Sequence, residues 1–344
     1  MIKHITFIRV LNIISRSNGR NSYLVQISLS PQEPQIMNVS LNATASNSTI
    51  NVRQVTLFGL VSFLCIGIVL LPIGIAGNLL VIIVVKKKRY LRTKTNFLLA
   101  NLAASDLMAN ILAYTVGIAR AFPMPSRTLG VFLCKINSYY PAASFCSILT
   151  LTVIAMERYN AIVKPLSSGL KFEKRTLCYF IIAIWILSLA AATPLVFFDD
   201  YNSEQFCVRT WSIHWNFTFW TCAIVLAIAL PVMVIIYCYF HIIRTLYFGP
   251  KVIPMNIPHE VDAQEKKKVI KLSIIVSSVI IIAFTPFSVV RQLEIHGPVP
   301  NEVTVLALSL VLLSSVLNPF IYAFQSTNYR QAFKETICGC VTRR

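Results

Sequence analysis

The chain has 344 residues, 56% hydrophobic and 13% charged, with a formal net charge of +18. A soluble domain carries about 25% charged residues, so this chain has too little polar surface for water and must present much of it to lipid. The basic excess implies no nucleic-acid partner, because it gathers between apolar runs instead of forming one binding stripe.

In chain order, Met1 to Ile14 is mildly apolar but broken by Lys3, His4, Arg9 and Asn12. That makes a poor signal-peptide core, and the first span is expected to act as the signal anchor. Residues 1–55 read as an unfolded extracellular tail, with glycosylation expected at the sequons of Asn38, Asn42 and Asn47. Seven apolar stretches then occur near 57–85, 96–120, 132–156, 177–198, 217–243, 269–290 and 303–325. Each is long enough for a bilayer core of roughly 30 Å. The expected fold is an all-α membrane protein: a seven-transmembrane helix bundle over 56–326, then a short amphipathic eighth helix and tail over 327–344.

Alternate connections differ in charge. Lys86, Lys87, Lys88, Arg89, Arg92 and Lys94 separate spans one and two, and Lys164, Lys171, Lys174 and Arg175 separate three and four. Arg244, Lys251, Lys266, Lys267, Lys268 and Lys271 flank the next such connection, and Arg330, Lys334, Arg343 and Arg344 follow the last span. The positive-inside rule puts the N-terminus outside and the C-terminus in the cytoplasm. Cys134 and Cys207 then face an oxidising compartment and are expected to pair. Cys65, Cys146, Cys178, Cys222 and Cys238 lie in apolar runs, as core or lipid-facing residues. Cys338 and Cys340 are expected to be palmitoylated, with free cytosolic thiols as the alternative. A fourth sequon at Asn216, among Trp215, Phe217 and Trp220 at the mouth of span five, is expected to stay bare.

Asp106 is the only carboxylate well inside a span, where an ionisable group is costly. Asn78, Ser147, Ser314, Ser315 and Asn318 are its natural company. Such oxygens suit a small hard cation or a proton; the plainer alternative is a polar core that ties helices together. Glu157-Arg158-Tyr159 sets opposite charges at the inner end of span three, where the arginine can snorkel. Pro72, Pro141, Pro194, Pro231, Pro286 and Pro319 invite kinks. No metalloprotease, serine-hydrolase or phosphate-loop motif occurs, and His4, His214, His241, His259 and His296 are scattered. The chain reads as a non-enzyme, with no cofactor beyond a cation at Asp106.

In this order the motifs resemble those of the rhodopsin-like (class A) G-protein-coupled receptors. Gly77-Asn78, the run Asn101 to Asp106, Cys134, Glu157-Arg158-Tyr159 with Pro165-Leu166, and Trp185 are similar to the family's marks in spans one to four. Pro231 with Tyr239, and Asn318-Pro319-Phe320-Ile321-Tyr322, resemble those of spans five and seven, and Tyr329 to Phe333 resembles the start of the eighth helix. The resemblance implies a plasma-membrane receptor that takes an extracellular ligand and activates a heterotrimeric G protein. It implies that Arg158 pairs with Glu157 at rest and joins Tyr239 and Tyr322 when active. It further implies a sodium pocket of Asp106, Ser147, Ser314 and Asn318, and a G-protein contact at Leu166.

Four departures stand out. Phe284 replaces the family's tryptophan before Thr285-Pro286. Ile280 replaces the phenylalanine one turn inward, giving a core switch of Ile148, Pro231 and Ile280. Cys134 lies one residue closer to Arg158 than is usual, so a bulge or deletion is expected in outer span three. Lys266, beside Glu265, occupies the place of an acidic lock, and a like charge near Arg158 predicts noticeable basal signalling.

The ligand is narrowed by exclusion. Outer span three reads Asn137, Ser138, Tyr139, Tyr140, without the acid of amine receptors, and residues 303–325 contain no retinal lysine. A peptide, as in neuropeptide receptors, is the first expectation. The second outer connection carries Asp199, Asp200, Glu204 and Trp211, with Glu294 and Glu302 on spans six and seven, to grip a basic terminus. The alternatives are solvated loop charges, and a lipid or small-molecule ligand. A cation transporter is the competing class, but it often shows internal repeats, and none is found.

Overall fold

The computed structural model describes residues 10–17, 20–27, 57–119, 122, 124–164, 173–202, 206–210, 212–248, 260–297 and 299–341. They fall into two compact units, Met1–Asn51 and Val52–Arg344.

In the first unit, β1 (Val10–Ser17) and β2 (Arg20–Ile27) pair antiparallel, with Val10 opposite Ile27 and Ser17 opposite Arg20. This corrects the expectation of an unfolded tail over these residues. The missed signal is Asn18-Gly19, a two-residue link of the kind that favours hairpins, flanked by the β-branched Ile13, Ile14 and Val25. Asn38, Asn42 and Asn47 lie outside the described residues.

The second unit is helical because a chain in lipid must satisfy its own backbone. Its helices are α1 (Leu57–Lys87), α2 (Lys94–Ala119), α3 (Arg127–Asn137), α4 (Tyr140–Ile162) and α5 (Lys174–Phe198). After the hairpin β3 (Asp199–Asn202) and β4 (Phe206–Arg209) come α6 (Ile213–Ile224), α7 (Leu230–Phe248), α8 (Glu260–His296), α9 (Asn301–Gln325) and α10 (Thr327–Val341). Seven spans among the described residues are long and apolar enough to cross a membrane. They match the seven expected runs to within a few residues, apart from longer third and fifth spans.

Two spans are not continuous α-helix. Span three breaks at Ser138–Tyr139, between α3 and α4, and Pro141 stands in the first turn of α4. Proline lacks the N–H that would bond back across the break and suits a helix start. The expected irregularity of outer span three therefore takes the form of a restart. Span five carries one wide turn, Val225–Ala229, just before Pro231. Such a turn accommodates a residue that cannot donate to the ladder.

Span three is the most buried of the seven spans and span five the least. Gly77 lets α1 approach α9 closely, since a Cβ there would lie 3.0 Å from the Pro319 ring.

Candidate functional site: a polar seam through the bundle

At one end of the bundle, the Cys134–Cys207 disulfide ties α3 to β4, as expected, with Cα atoms 5.5 Å apart. Tyr201 stands edge-on to Phe206, ring centroids 5.6 Å apart, and covers Gly130 of α3. Asp199 is buried and accepts a 2.7 Å hydrogen bond from Ser138 Oγ, so it supports the break in span three. Asp200 faces Arg127 Nη2 at 3.2 Å, an exposed pair. Glu294 accepts from Arg291 Nη1 and from Thr304 Oγ1, both at 2.8 Å, tying α8 to α9. The guanidinium of Arg291 stacks 5.3 Å from the Trp220 ring centroid and 5.1 Å from that of Phe287. Asp199 and Glu294, expected on a ligand-binding wall, thus have intramolecular partners. Tyr139 and Tyr140 are half-buried at the break, and Glu302 is exposed in the first turn of α9. Glu204 and Trp211 lie outside the described residues.

Midway down, Asp106 is fully buried. Its Oδ1 accepts from Ser147 Oγ at 2.9 Å and its Oδ2 from Asn318 Nδ2 at 2.6 Å. Ser105 Oγ lies 2.9 Å from Ser147 Oγ, and Asn110 Nδ2 donates to the Asp106 carbonyl at 2.8 Å. Asn78 Nδ2 bridges from α1 to the Ser315 carbonyl at 3.2 Å. One expected member departs: Ser314 Oγ donates to its own helix at Val311 O, 2.7 Å away. Its neighbour Ser315 is buried on the side of α9 that Asn78 meets. The buried oxygens Asn78 Oδ1, Asn110 Oδ1 and Asn318 Oδ1 have no protein partner. A carboxylate among uncommitted oxygens fits a small hard cation. Asn110 was missed in the sequence; its signal was its place one turn beyond Asp106 on the same helix face.

Alongside it, Ile148, Ile280 and Phe284 share one hydrophobic cluster. Pro231 is buried and Pro286 half-buried. Trp185 Nε1 donates to Asn101 Oδ1 at 2.9 Å, and Asn101 Nδ2 to Thr150 Oγ1 at 2.8 Å, binding α5, α2 and α4 together.

At the end opposite the disulfide, Arg158 Nε donates to Glu157 Oε2 at 2.6 Å. Thr95 at the start of α2, which sequence reasoning missed, donates to the same oxygen at 3.2 Å and accepts from Arg158 Nη2. Glu157 and Arg158 retain 7% and 17% side-chain exposure, so the pair is largely withdrawn from water. Tyr159 turns to α7, its ring 5.9 Å from Tyr237 and 6.1 Å from His241. Tyr239 OH lies 3.4 Å from Ser277 Oγ on α8. Tyr322 is fully buried, its hydroxyl unpartnered and its ring 5.4 Å from Tyr329. The structure therefore joins Arg158 to Glu157 and Thr95; Tyr239 pairs with Ser277 on α8. Leu166 and the side chains of Glu265, Lys266 and Cys340 lie outside the described residues, while Cys338 is exposed on α10.

The model of the 7 transmembrane receptor (rhodopsin family) matches residues 77–322, from Gly77-Asn78 to Tyr322. Among curated relatives, the somatostatin receptor type 4 of Rattus norvegicus is 28% identical over 289 residues, covering 81% of this chain and 73% of that one. The substance-P receptor of Rattus norvegicus is 28% identical over 321 residues, with 88% and 76% covered. The galanin receptor type 1 of Mus musculus is 30% identical over 276 residues, with 76% and 77% covered. The crystal structure of squid rhodopsin superposes with a TM-score of 0.67 at 24% identity, over 82% of this chain and 87% of that one, and so has the same fold. With seven spans, the disulfide and the polar seam in place, the chain belongs to the rhodopsin family of seven-transmembrane receptors.

Proposed function

We propose that this receptor sits in the plasma membrane with its N-terminus outside and converts the binding of an extracellular peptide into activation of a heterotrimeric G protein. The observation that carries the reading is the Arg158 cage. A cation withdrawn from water and bound to Glu157 and Thr95 is an arrangement that an opening of the inner bundle would exchange for other partners. Tyr239 and Tyr322 are the candidates, and the present arrangement corresponds to rest. An agonist shifts the balance only by binding the open state more tightly than the closed one.

The peptide is read from the ligands named for the substance-P, somatostatin and galanin receptors. Asp200 is the acid best placed to meet a basic peptide end. Its pair with Arg127 is exposed at 43% and 74%, and such pairs are worth about 0–1 kcal/mol, so a ligand cation can replace the arginine. Asp106 with Ser147, Ser315 and Asn318 is proposed to hold a sodium ion that favours the resting state. Asn38, Asn42 and Asn47 are proposed to be glycosylated, and Cys338 and Cys340 acylated.

The test is a second-messenger screen of transfected cells against a peptide library, wild type beside Arg158→Ala. A saturable, protease-sensitive response lost in the variant supports the reading. A protease-resistant response transfers the ligand to the lipid or small-molecule class. Silence with surface expression confirmed would sink the proposal.

A further inference from the structure

Ile148 of α4 and Phe284 of α8 meet in one hydrophobic cluster, and Phe287 packs against it. Side chains three or four residues apart lie on one helix face. Toward the disulfide end, these two faces therefore continue as Ser144 and Tyr140 on α4, and as Phe287 and Arg291 on α8. The Arg291 guanidinium, stacked against the Phe287 and Trp220 rings, keeps 21% side-chain exposure. It is thus accessible yet little screened by water. An ion pair tying α8 to α9 through Glu294 and Thr304 is the plain account, but two features exceed it. Glu294 gives Arg291 one oxygen, Oε2, and Thr304 the other, so the pair lacks the two-oxygen fork that a guanidinium forms with a carboxylate. On the α4 face, the Tyr140 and Ser144 hydroxyls are buried without a hydrogen-bond partner in the protein, and a buried hydroxyl left unmet is costly. Arg291 can only donate, and both hydroxyls can donate as well.

We infer that Arg291, with the Tyr140 and Ser144 hydroxyls, forms a subsite for a carboxylate of the ligand, flanked by Trp220 and Phe287. The inference deepens the peptide reading and rests on it: the carboxylate is the peptide's C-terminus or an acidic side chain. A basic group of the same peptide meets Asp200 at the rim. The ligand carboxylate makes with Arg291 the fork that Glu294 does not, and the two rings favour an aromatic or apolar residue beside it. Glu294 competes with the ligand for the same guanidinium, because two carboxylates against one cation repel each other.

The experiment titrates the purified full-length receptor with N-acetyltryptophan and with its primary amide, which lacks the carboxylate charge. It reads the dissociation constant by ligand-observed NMR, together with the thermal midpoint. Wild type should bind the carboxylate about tenfold more tightly than the amide, as a charged hydrogen bond implies. Arg291→Gln should erase that preference and Arg291→Lys should keep part of it, while Tyr140→Phe should weaken carboxylate binding about threefold. Glu294→Gln should strengthen carboxylate binding, the opposite of Arg291→Gln. An ion pair that only ties α8 to α9 predicts instead that both variants weaken it together, and that result would overturn the subsite. Where Arg291→Gln does not fold, the amide comparison and Glu294→Gln decide the matter. A third probe, N-acetylaspartyl-tryptophanamide, has its acid on a side chain; whether it or N-acetyltryptophan binds more tightly assigns the source of the carboxylate. The absence of saturable carboxylate binding, of any preference over the amide, or of any effect of Arg291→Gln would each overturn the inference. The readout needs neither agonist nor G protein, so its failure leaves the receptor reading intact, and a silent screen leaves a measured carboxylate preference standing.

Discussion

Asp106 concentrates the chemistry of the bundle in one side chain. A buried carboxylate is costly unless hydrogen-bonded or bound to a counter-ion, and Ser147 and Asn318 supply only two donors. If a sodium ion completes the set, sodium chloride should raise the thermal midpoint of the purified receptor above that in choline chloride at equal ionic strength. Asp106→Asn should abolish that difference, and a variant as sodium-sensitive as wild type would rule the site out. The Cys134–Cys207 bridge makes a second prediction, since it closes a loop of 73 residues. Loop-closure entropy alone assigns it about 4 kcal/mol, so Cys207→Ser should sharply reduce surface expression and lower the thermal midpoint. All three residues were legible in the sequence, Asp106 as the lone intramembrane acid and the two cysteines from the side of the membrane expected for them. Thr95 was not, because a threonine at a helix start signals nothing until the fold brings Arg158 against it.

At the scale of elements, the spans could be read because twenty apolar residues admit few other structures, whereas their irregularities could be read only in part. The spacing from Cys134 to Arg158 showed that outer span three must be unusual, and Pro141 fixes where the helix restarts. The wide turn in span five had only Pro231 as its signal, and proline is tolerated in many straight membrane helices. The departure of Ser314 was hidden too, because its hydroxyl bonds back to its own helix at Val311 O, a choice the residue type leaves open. The hairpin Val10–Ile27 was overlooked because a polar composition outweighed the Asn18-Gly19 signal between its strands. The eighth helix supplies this scale's prediction. Lys88 and, to a lesser degree, Gln331 hydrogen-bond Glu335 and hold its carboxyl below the usual range. A depressed carboxylate contributes above its unfolded pKa, and that contribution fades as pH falls through the folded value. Docking of α10 should therefore be constant near neutral pH and weaken only in acid. Hydrogen exchange along α10 checks this: Glu335→Gln should exchange faster at neutral pH, and wild type should approach it only on strong acidification.

For the whole molecule, the seam runs from the outer disulfide through Asp106 to Arg158, and its parts belong to different helices. The inner end closes through one oxygen, Glu157 Oε2, which accepts from both Arg158 and Thr95. Removing the carboxylate charge weakens the resting arrangement without touching Tyr239 or Tyr322. A loss of about 1.4 kcal/mol from the closed state multiplies the open-to-closed ratio roughly tenfold. Glu157→Gln should therefore raise ligand-independent signalling several-fold at matched surface expression, and Thr95→Ala should do so by less, since it leaves the ion pair in place. Arg158→Ala should not follow them, because the group that the open state needs is then gone. That ordering separates a switch from a strut. If Glu157→Gln and Arg158→Ala instead lost expression together and neither changed signalling per receptor, the cage would be a structural ion pair, and the restraint on the inner bundle would have to lie elsewhere.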